Sequence, residues 1–203
     1  MAVETLSAKG RQTRQAIELA ARKLFAERGF HGTTLADITS AAGKSPAAFY
    51  RYFADKEDLL AALAESFLHD VMAPSGMSLH LPESPEDDAF FSAVVTGYWN
   101  MFKQNIGIMI AVAQLAATQP RFAAVQNEFR RFGIDIVAAS VRRAQEQGYG
   151  DELDPEHTAA AIALLFENFT TVFVGPSGLG LEISDENAIA TLARIWKKTL
   201  YGS

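Results

Sequence analysis

The chain has 203 residues, 49% of them hydrophobic, and sets 18 Lys and Arg against 24 Asp and Glu for a formal charge of −6, with no cysteine. That length holds one small and one medium domain with a sizeable core, while the lack of cysteine excludes a disulfide framework and a thiolate metal site. The opening MAVETLSAKGRQTR lacks the apolar stretch of a signal peptide, and the sequence reads as free of any run of about 18 apolar residues that could span a membrane, so a cytoplasmic protein without membrane partners is expected.

The charge is unevenly spread. From Lys9 to Lys56 there are nine Lys and Arg against four Asp and Glu, a local +5, whereas from Val71 to the end nine oppose fifteen, a local −6. Polyanion binding needs cations only where the duplex lies, so an acidic total is compatible with a DNA-binding first third.

Thr33 to Lys56 compress three helix starts into 24 positions. Thr34 is placed to accept a backbone hydrogen bond as an N-cap, Asp37 completes a capping box, and Leu35, Ile38 and Ala42 give one apolar stripe. Gly43 stops that helix. Ser45 caps the next, with Pro46 at its first helical position, where a missing N–H costs nothing. The three-residue turn Gly43 to Ser45 forces a steep crossing, the geometry in which a second helix enters the major groove while the first braces it. That second helix is expected over Pro46 to Phe53, roughly 12 Å at about 1.5 Å per residue, close to the width of the groove. Phe49 and Phe53 must face the core, which turns Ala47, Ala48, Arg51 and Tyr52 outward and leaves Tyr50 near the boundary. Asp55, backed by Asp58, caps a third helix, leaving Lys56 and the free amides of that helix start to phosphate oxygens.

The segments LFAERGFHGTT, ADI, AAGKSPAAFYRYF and DKEDLL, within about Arg14 to Phe67, resemble the TetR family of bacterial repressors. The resemblance implies an all-α fold: an N-terminal three-helix helix-turn-helix DNA-binding domain on a helical ligand-binding and dimerisation domain. It implies a phosphate role for Thr33, Thr34, Tyr52 and Lys56, and a groove-facing role for Lys44, Ser45, Pro46, Ala47, Ala48 and Tyr50. Three positions depart from the common pattern: Lys44 stands where a small aliphatic residue is usual, and Ala47 and Ala48 where glycine and a hydroxyl residue are frequent. Without that hydroxyl, base reading leans on methyl contacts to thymine and on DNA shape.

The domain division expected is 8–56 for the DNA-binding part, a connecting helix over 56–72, and 73–203 for the body. The segment 73–85, with three prolines, reads as a linker or loop. Further helices are expected at 86–102, 106–118, 121–147, 155–174 and 185–201, with Pro120 and Pro155 at helix starts and Gly148 and Gly150 closing the longest. No alternating strand pattern competes.

The body concentrates large apolar residues. Tyr98, Trp99, Phe102, Met109, Gln114, Phe129, Phe132, Phe166 and Phe169 are candidates for an apolar pocket that takes a small hydrophobic effector, the alternative for each aromatic being plain core. Ala159, Ala163 and Phe173 on one C-terminal helix, with Ile189, Leu192 and Trp196 on the other, are candidates for a homodimer interface, the alternative being packing within the chain. A dimer is expected on physical grounds, because one short recognition helix makes too few contacts for specific binding and pairing doubles them on a palindromic site.

Other classes fit less well. Around Ser177 in GPSGLG, Leu179 stands where a nucleophile elbow needs glycine, so neither a catalytic residue nor a small helical enzyme is indicated. A lipid-binding protein using the apolar pocket would carry basic residues beside its apolar faces, and the body is acidic. His31, His69, His80 and His157 lack metal-ligand spacing, so no metal or cofactor is expected.

Overall fold

A computed structural model describes residues 7–72, 81–175 and 180–202. Among these, regular structure is entirely helical: α1 Ala8–Arg28, α2 Leu35–Ala41, α3 Pro46–Phe49, α4 Lys56–Met72, α5 Asp88–Gln104, α6 Ile106–Ala116, α7 Pro120–Glu146, α8 Pro155–Val174 and α9 Asp185–Tyr201. His80 in the expected linker and Ser177 in the GPSGLG segment lie outside the described residues.

The chain divides into two compact units, Met1–Val71 with Gly107–Gln126, and Met72–Ile106 with Asn127–Ser203. The sequence division placed 107–126 with the body; these residues instead complete the core of the first unit. Ile108, Ala111, Val112, Leu115 and Phe122 are buried there with Ile17, Ala21, Leu24 and Phe25 of α1 and Leu59, Leu60, Leu63 and Ala64 of α4. Backbone contact sets the arrangement. A Cβ on Gly107 would lie 2.5 Å from the Ala26 nitrogen and 2.6 Å from the Phe25 carbonyl carbon, so α6 seats on α1 at a distance no other residue permits.

The helix starts are capped as their residue types dictate. The Thr34 side chain accepts from the Asp37 N–H while the Asp37 carboxylate accepts from the Thr34 N–H, closing the capping box of α2. Gly43 takes φ 62°, a left-handed conformation open to glycine at no steric cost, and turns the chain toward the Ser45 cap of α3. Before α4 the Asp58 N–H donates to Asp55 Oδ1 at 2.7 Å. Unexpectedly, α3 is only four residues long. Beyond Phe49 the chain continues as turns, in which the Tyr52 and Phe53 N–H groups both donate to the Phe49 carbonyl. The tightened turn brings Phe53 back to the core, where it is buried beside Phe49 with ring centroids 5.5 Å apart.

The second unit is built around Trp196 of α9. Its ring meets Phe90 at 5.5 Å, Phe91 at 5.2 Å and Phe166 at 6.1 Å. Its indole N–H donates to Ser140 Oγ at 3.1 Å, and that hydroxyl donates to the Val137 carbonyl at 2.6 Å. Burying such rings contributes about 1.5–3 kcal/mol each, and satisfying the indole avoids the cost of an unmade hydrogen bond. Ion pairs hold α5 to α9, with Lys103 2.6 Å from Asp185 and Lys197 2.7 Å from Asp88. Arg130 of α7 grips Glu167 of α8 with two hydrogen bonds of 2.6 and 2.8 Å.

By length and mean hydropathy α8 alone among the described helices could cross a membrane, although polar residues interrupt its apolar run. Ala159, Ile162, Phe166 and Thr170 of α8 are buried within the second unit, which accounts for only part of its apolar surface.

Candidate nucleic-acid interface

The turn from α2 into α3 presents a compact outward face. Thr34, Ser45, Pro46, Ala47, Tyr50 and Arg51 are exposed, and Lys44 and Ala48 are half-buried. Tyr50 stands out at 60% exposure although it follows the fully buried Phe49. Tyr50 projects as a groove-facing residue must, whereas Tyr52, expected to face outward, is half-buried. Because the backbone tightens after Phe49, Tyr52 turns back and packs against the core of the first unit, while Tyr50 projects. This face thus offers methyl groups, one proline ring and one phenol, together with the cations Lys44 and Arg51.

Two residues expected to meet phosphate are engaged inside the fold. Thr33 is fully buried, and its hydroxyl donates to the Gly29 carbonyl at 2.8 Å and lies 3.3 Å from the Leu24 carbonyl. The Lys56 ammonium donates to the carbonyls of Phe30 and Thr33, each at 2.7 Å, and sits 4.2 Å from the centre of the Phe30 ring. Burial pulls its pKa below the ordinary lysine value. The sequence showed a cation beside a helix start; the carbonyls of Phe30, which also accepts the Thr33 N–H, and of Thr33, which claim that cation, became visible only in three dimensions. Asp37 is held below the ordinary carboxylate range, first by the Thr34 hydroxyl, then by the Thr34 N–H, with a further contribution from Arg28.

The same unit carries further cations on α1. Lys9, Arg11, Lys23 and Arg28 of α1 are exposed, and Arg14 is half-buried with its guanidinium 5.4 Å from the centre of the Phe53 ring.

The candidate pocket residues separate. Met109 and Gln114 belong to the first unit, where Gln114 is exposed. Tyr98, Trp99, Phe166 and Phe169 share the second unit's core, in which Trp99 is buried at 2% exposure and Phe169 stacks on Phe173 at 4.5 Å. Phe102 is buried against Tyr98 at 5.9 Å, and Phe129 and Phe132 are half-buried on α7.

The candidate dimer residues need correction. Ala159, Leu192 and Trp196 are fully buried inside their own chain, and Ala163, Phe173 and Ile189 are half-buried, so the stripes chosen from periodicity are the inward ones. Outward, α8 shows Ala161, Leu164 at 47% and Leu165 at 41% exposure, and α9 shows Ile195 at 37%. The adjacent pair Leu164–Leu165, four residues after Ala160 and Ala161, was the available signal: consecutive leucines cannot both fall on one narrow inward stripe.

Residues 17–63 match the family described as bacterial regulatory proteins, tetR family. The chain is 29% identical over 192 residues to the HTH-type transcriptional regulator EthR of Mycobacterium tuberculosis, covering 92% of this chain and 86% of that protein. It is 25% identical over 171 residues to UidR of Escherichia coli, with 83% of each chain covered. Among solved structures it shares its fold with a protein described as a transcriptional regulator from Saccharomonospora viridis, in complex with choline, at TM-score 0.74 and 20% identity, covering 94% of this chain and 98% of that one. FadR of Bacillus subtilis, in complex with stearoyl-CoA, aligns at TM-score 0.67 and 18% identity over 93% of this chain and 98% of that chain.

Proposed function

We propose that this chain, which belongs to the TetR family of bacterial regulatory proteins, is a ligand-responsive transcriptional regulator that represses by binding a palindromic operator as a homodimer and is released by a small hydrophobic effector. The observation that carries the reading is the exposed Ser45–Tyr50 face, held on a three-helix unit by buried Phe49 and Phe53 within the segment that matches the family. Tyr50 and Arg51 read the groove, with the methyl groups of Ala47 and Ala48 against thymine. Thr34, Lys44 and the exposed cations of α1 hold phosphates and set register. Thr33 and Lys56 act one step back, by fixing the 30–34 turn.

The second copy covers the outward faces of α8 and α9. Leu164, Leu165 and Ile195 give those faces an apolar centre, and apolar faces of this kind mark association surfaces in a water-soluble protein. Such a dimer also accounts for the high mean hydropathy of α8 without a membrane. The effector binds in the second unit among Tyr98, Trp99, Phe166 and Phe169. The relatives solved with choline and with stearoyl-CoA support small-molecule binding by this fold. The protein works where its operator lies, in the cytoplasm, and the DNA-binding face gives no reason to invoke an enzymatic step.

Selection of duplexes from a random pool, followed by mobility shift against competitor DNA at physiological salt, tests the reading. Recovery of a two-fold symmetric site bound with two chains is expected. Enrichment of no sequence over the pool would overturn it.

A further inference from the structure

Polar groups in the second unit are otherwise well accounted for. The Ser140 hydroxyl joins Trp196 to a carbonyl, Thr171 Oγ1 donates to the Glu167 carbonyl one turn earlier at 2.7 Å, and Glu167 itself is clasped by Arg130. Against that background two hydroxyls are left over. Tyr98 Oη on α5 and Thr170 Oγ1 on α8 are buried and have no hydrogen-bond partner, although Thr170 is fully buried and the carbonyl one turn back is the usual partner of a helical threonine, as its neighbour Thr171 shows. The two act on one another, but too loosely to complete a hydrogen bond. An unmade hydrogen bond at a buried group costs about 1–3 kcal/mol, so a pair of them calls for an occupant that supplies the missing partner.

The surroundings restrict what that occupant is. Phe102 and Phe166 each lie 5.9 Å from the Tyr98 ring, and Phe169 lies 6.4 Å from that of Trp99. Burial raises the Tyr98 pKa, so its hydroxyl stays neutral. The nearby carboxylate, Glu167, is already neutralised by the bidentate Arg130. The third buried group without a hydrogen-bond partner, the Trp99 indole N–H, is a donor only and acts on the Asp185 carboxylate, which Lys103 already neutralises at 2.6 Å. The corner thus offers hydrogen bonds and apolar walls with no uncompensated charge. A charged group placed there would lose its hydration without gaining a counter-charge.

We infer that the effector of this regulator is an uncharged, largely apolar molecule carrying one hydrogen-bonding oxygen, and that Tyr98 and Thr170 together hold that oxygen. The inference rests on the effector reading above and narrows it to one chemical class.

Calorimetry on the full chain with four probes tests it: 6-phenylhexan-2-one, hexylbenzene, 6-phenylhexanoate and choline. The ketone is expected to bind, and both charged probes to bind at least about tenfold more weakly, for the desolvation reason given. Tyr98→Phe and Thr170→Val should each weaken the ketone by about five- to tenfold, the value of one hydrogen bond, and leave hexylbenzene within about twofold. Since each variant removes an unpaired hydroxyl, melting temperatures should hold or rise. Four results overturn the assignment: unchanged ketone affinity in both variants, a charged probe binding as tightly as the ketone, no binding by any probe, or a marked loss of melting temperature in Tyr98→Phe. Adding the ketone to the operator complex separates the two claims. Ketone binding that leaves the complex intact defeats effector release but not the site, whereas release that persists undiminished in both variants defeats the site but not effector release.

Discussion

The ammonium of Lys56 lies 4.2 Å from the centre of the Phe30 ring and donates to the carbonyl of the same residue at 2.7 Å. One side chain at the start of α4 therefore locks the turn that leads into α2, twice over at Phe30 and a third time at the Thr33 carbonyl. Lys56→Met should lower stability by about 1.5–3 kcal/mol, since it strips a charged donor from two carbonyls. Operator affinity should fall with it, while the slope of log K against log salt stays the same, because no phosphate contact is lost. Urea denaturation and a salt titration check this. A slope reduced by about one with stability unchanged would instead make Lys56 a free phosphate contact.

Tyr50 and Tyr52 are two residues apart and face opposite ways. Tyr50→Ala should cost operator affinity about 5- to 30-fold, equivalent to about 1–2 kcal/mol, with the melting temperature unchanged. Tyr52→Ala should lower the melting temperature, because that ring packs on the core. Mobility shift and thermal melts of both variants decide it, and equal effects on stability would contradict the assigned faces.

Gly107 and Gly97 form an internal control. A methyl on Gly107 meets the α1 backbone at 2.5 Å, whereas nothing lies within 4 Å of one on Gly97. Gly107→Ala should destabilise by about 1–3 kcal/mol or more through forced separation of α6 from α1. Gly97→Ala, at an exposed position within α5, should stabilise by about 0.5–1 kcal/mol. Chemical denaturation of the pair reads both signs.

Leu165→Glu should yield a monomer that keeps the helical circular dichroism of the parent and loses specific operator binding. Leu165 is 41% exposed, so the substitution creates no buried charge within the chain. Sedimentation equilibrium reports the state. A dimer surviving this change and a second one, Ile195→Glu, would move the interface elsewhere.

The sequence by itself determined where most helices begin, because capping boxes and prolines act within a few residues, but not where α3 ends, which the packing of Phe53 decides. Thr34 with Asp37, Ser45 with Pro46, and Asp55 with Asp58 are local chemistry, and each works in the fold as its residue types require. The helix-turn-helix and the family were legible for the same reason. Tertiary structure alone decided which side of each helix is free. Periodicity finds an apolar stripe but carries no label saying whether its partner is the same chain; the fold buries Leu192 and Trp196 within it and leaves Leu164 and Leu165 exposed. It likewise decided that Lys56 is spent on carbonyls 23 and 26 residues earlier. It decided too that Gly107 brings α6 onto α1, and that the hydroxyls of Tyr98 and Thr170 meet with no partner, since these are relations between segments far apart in the chain.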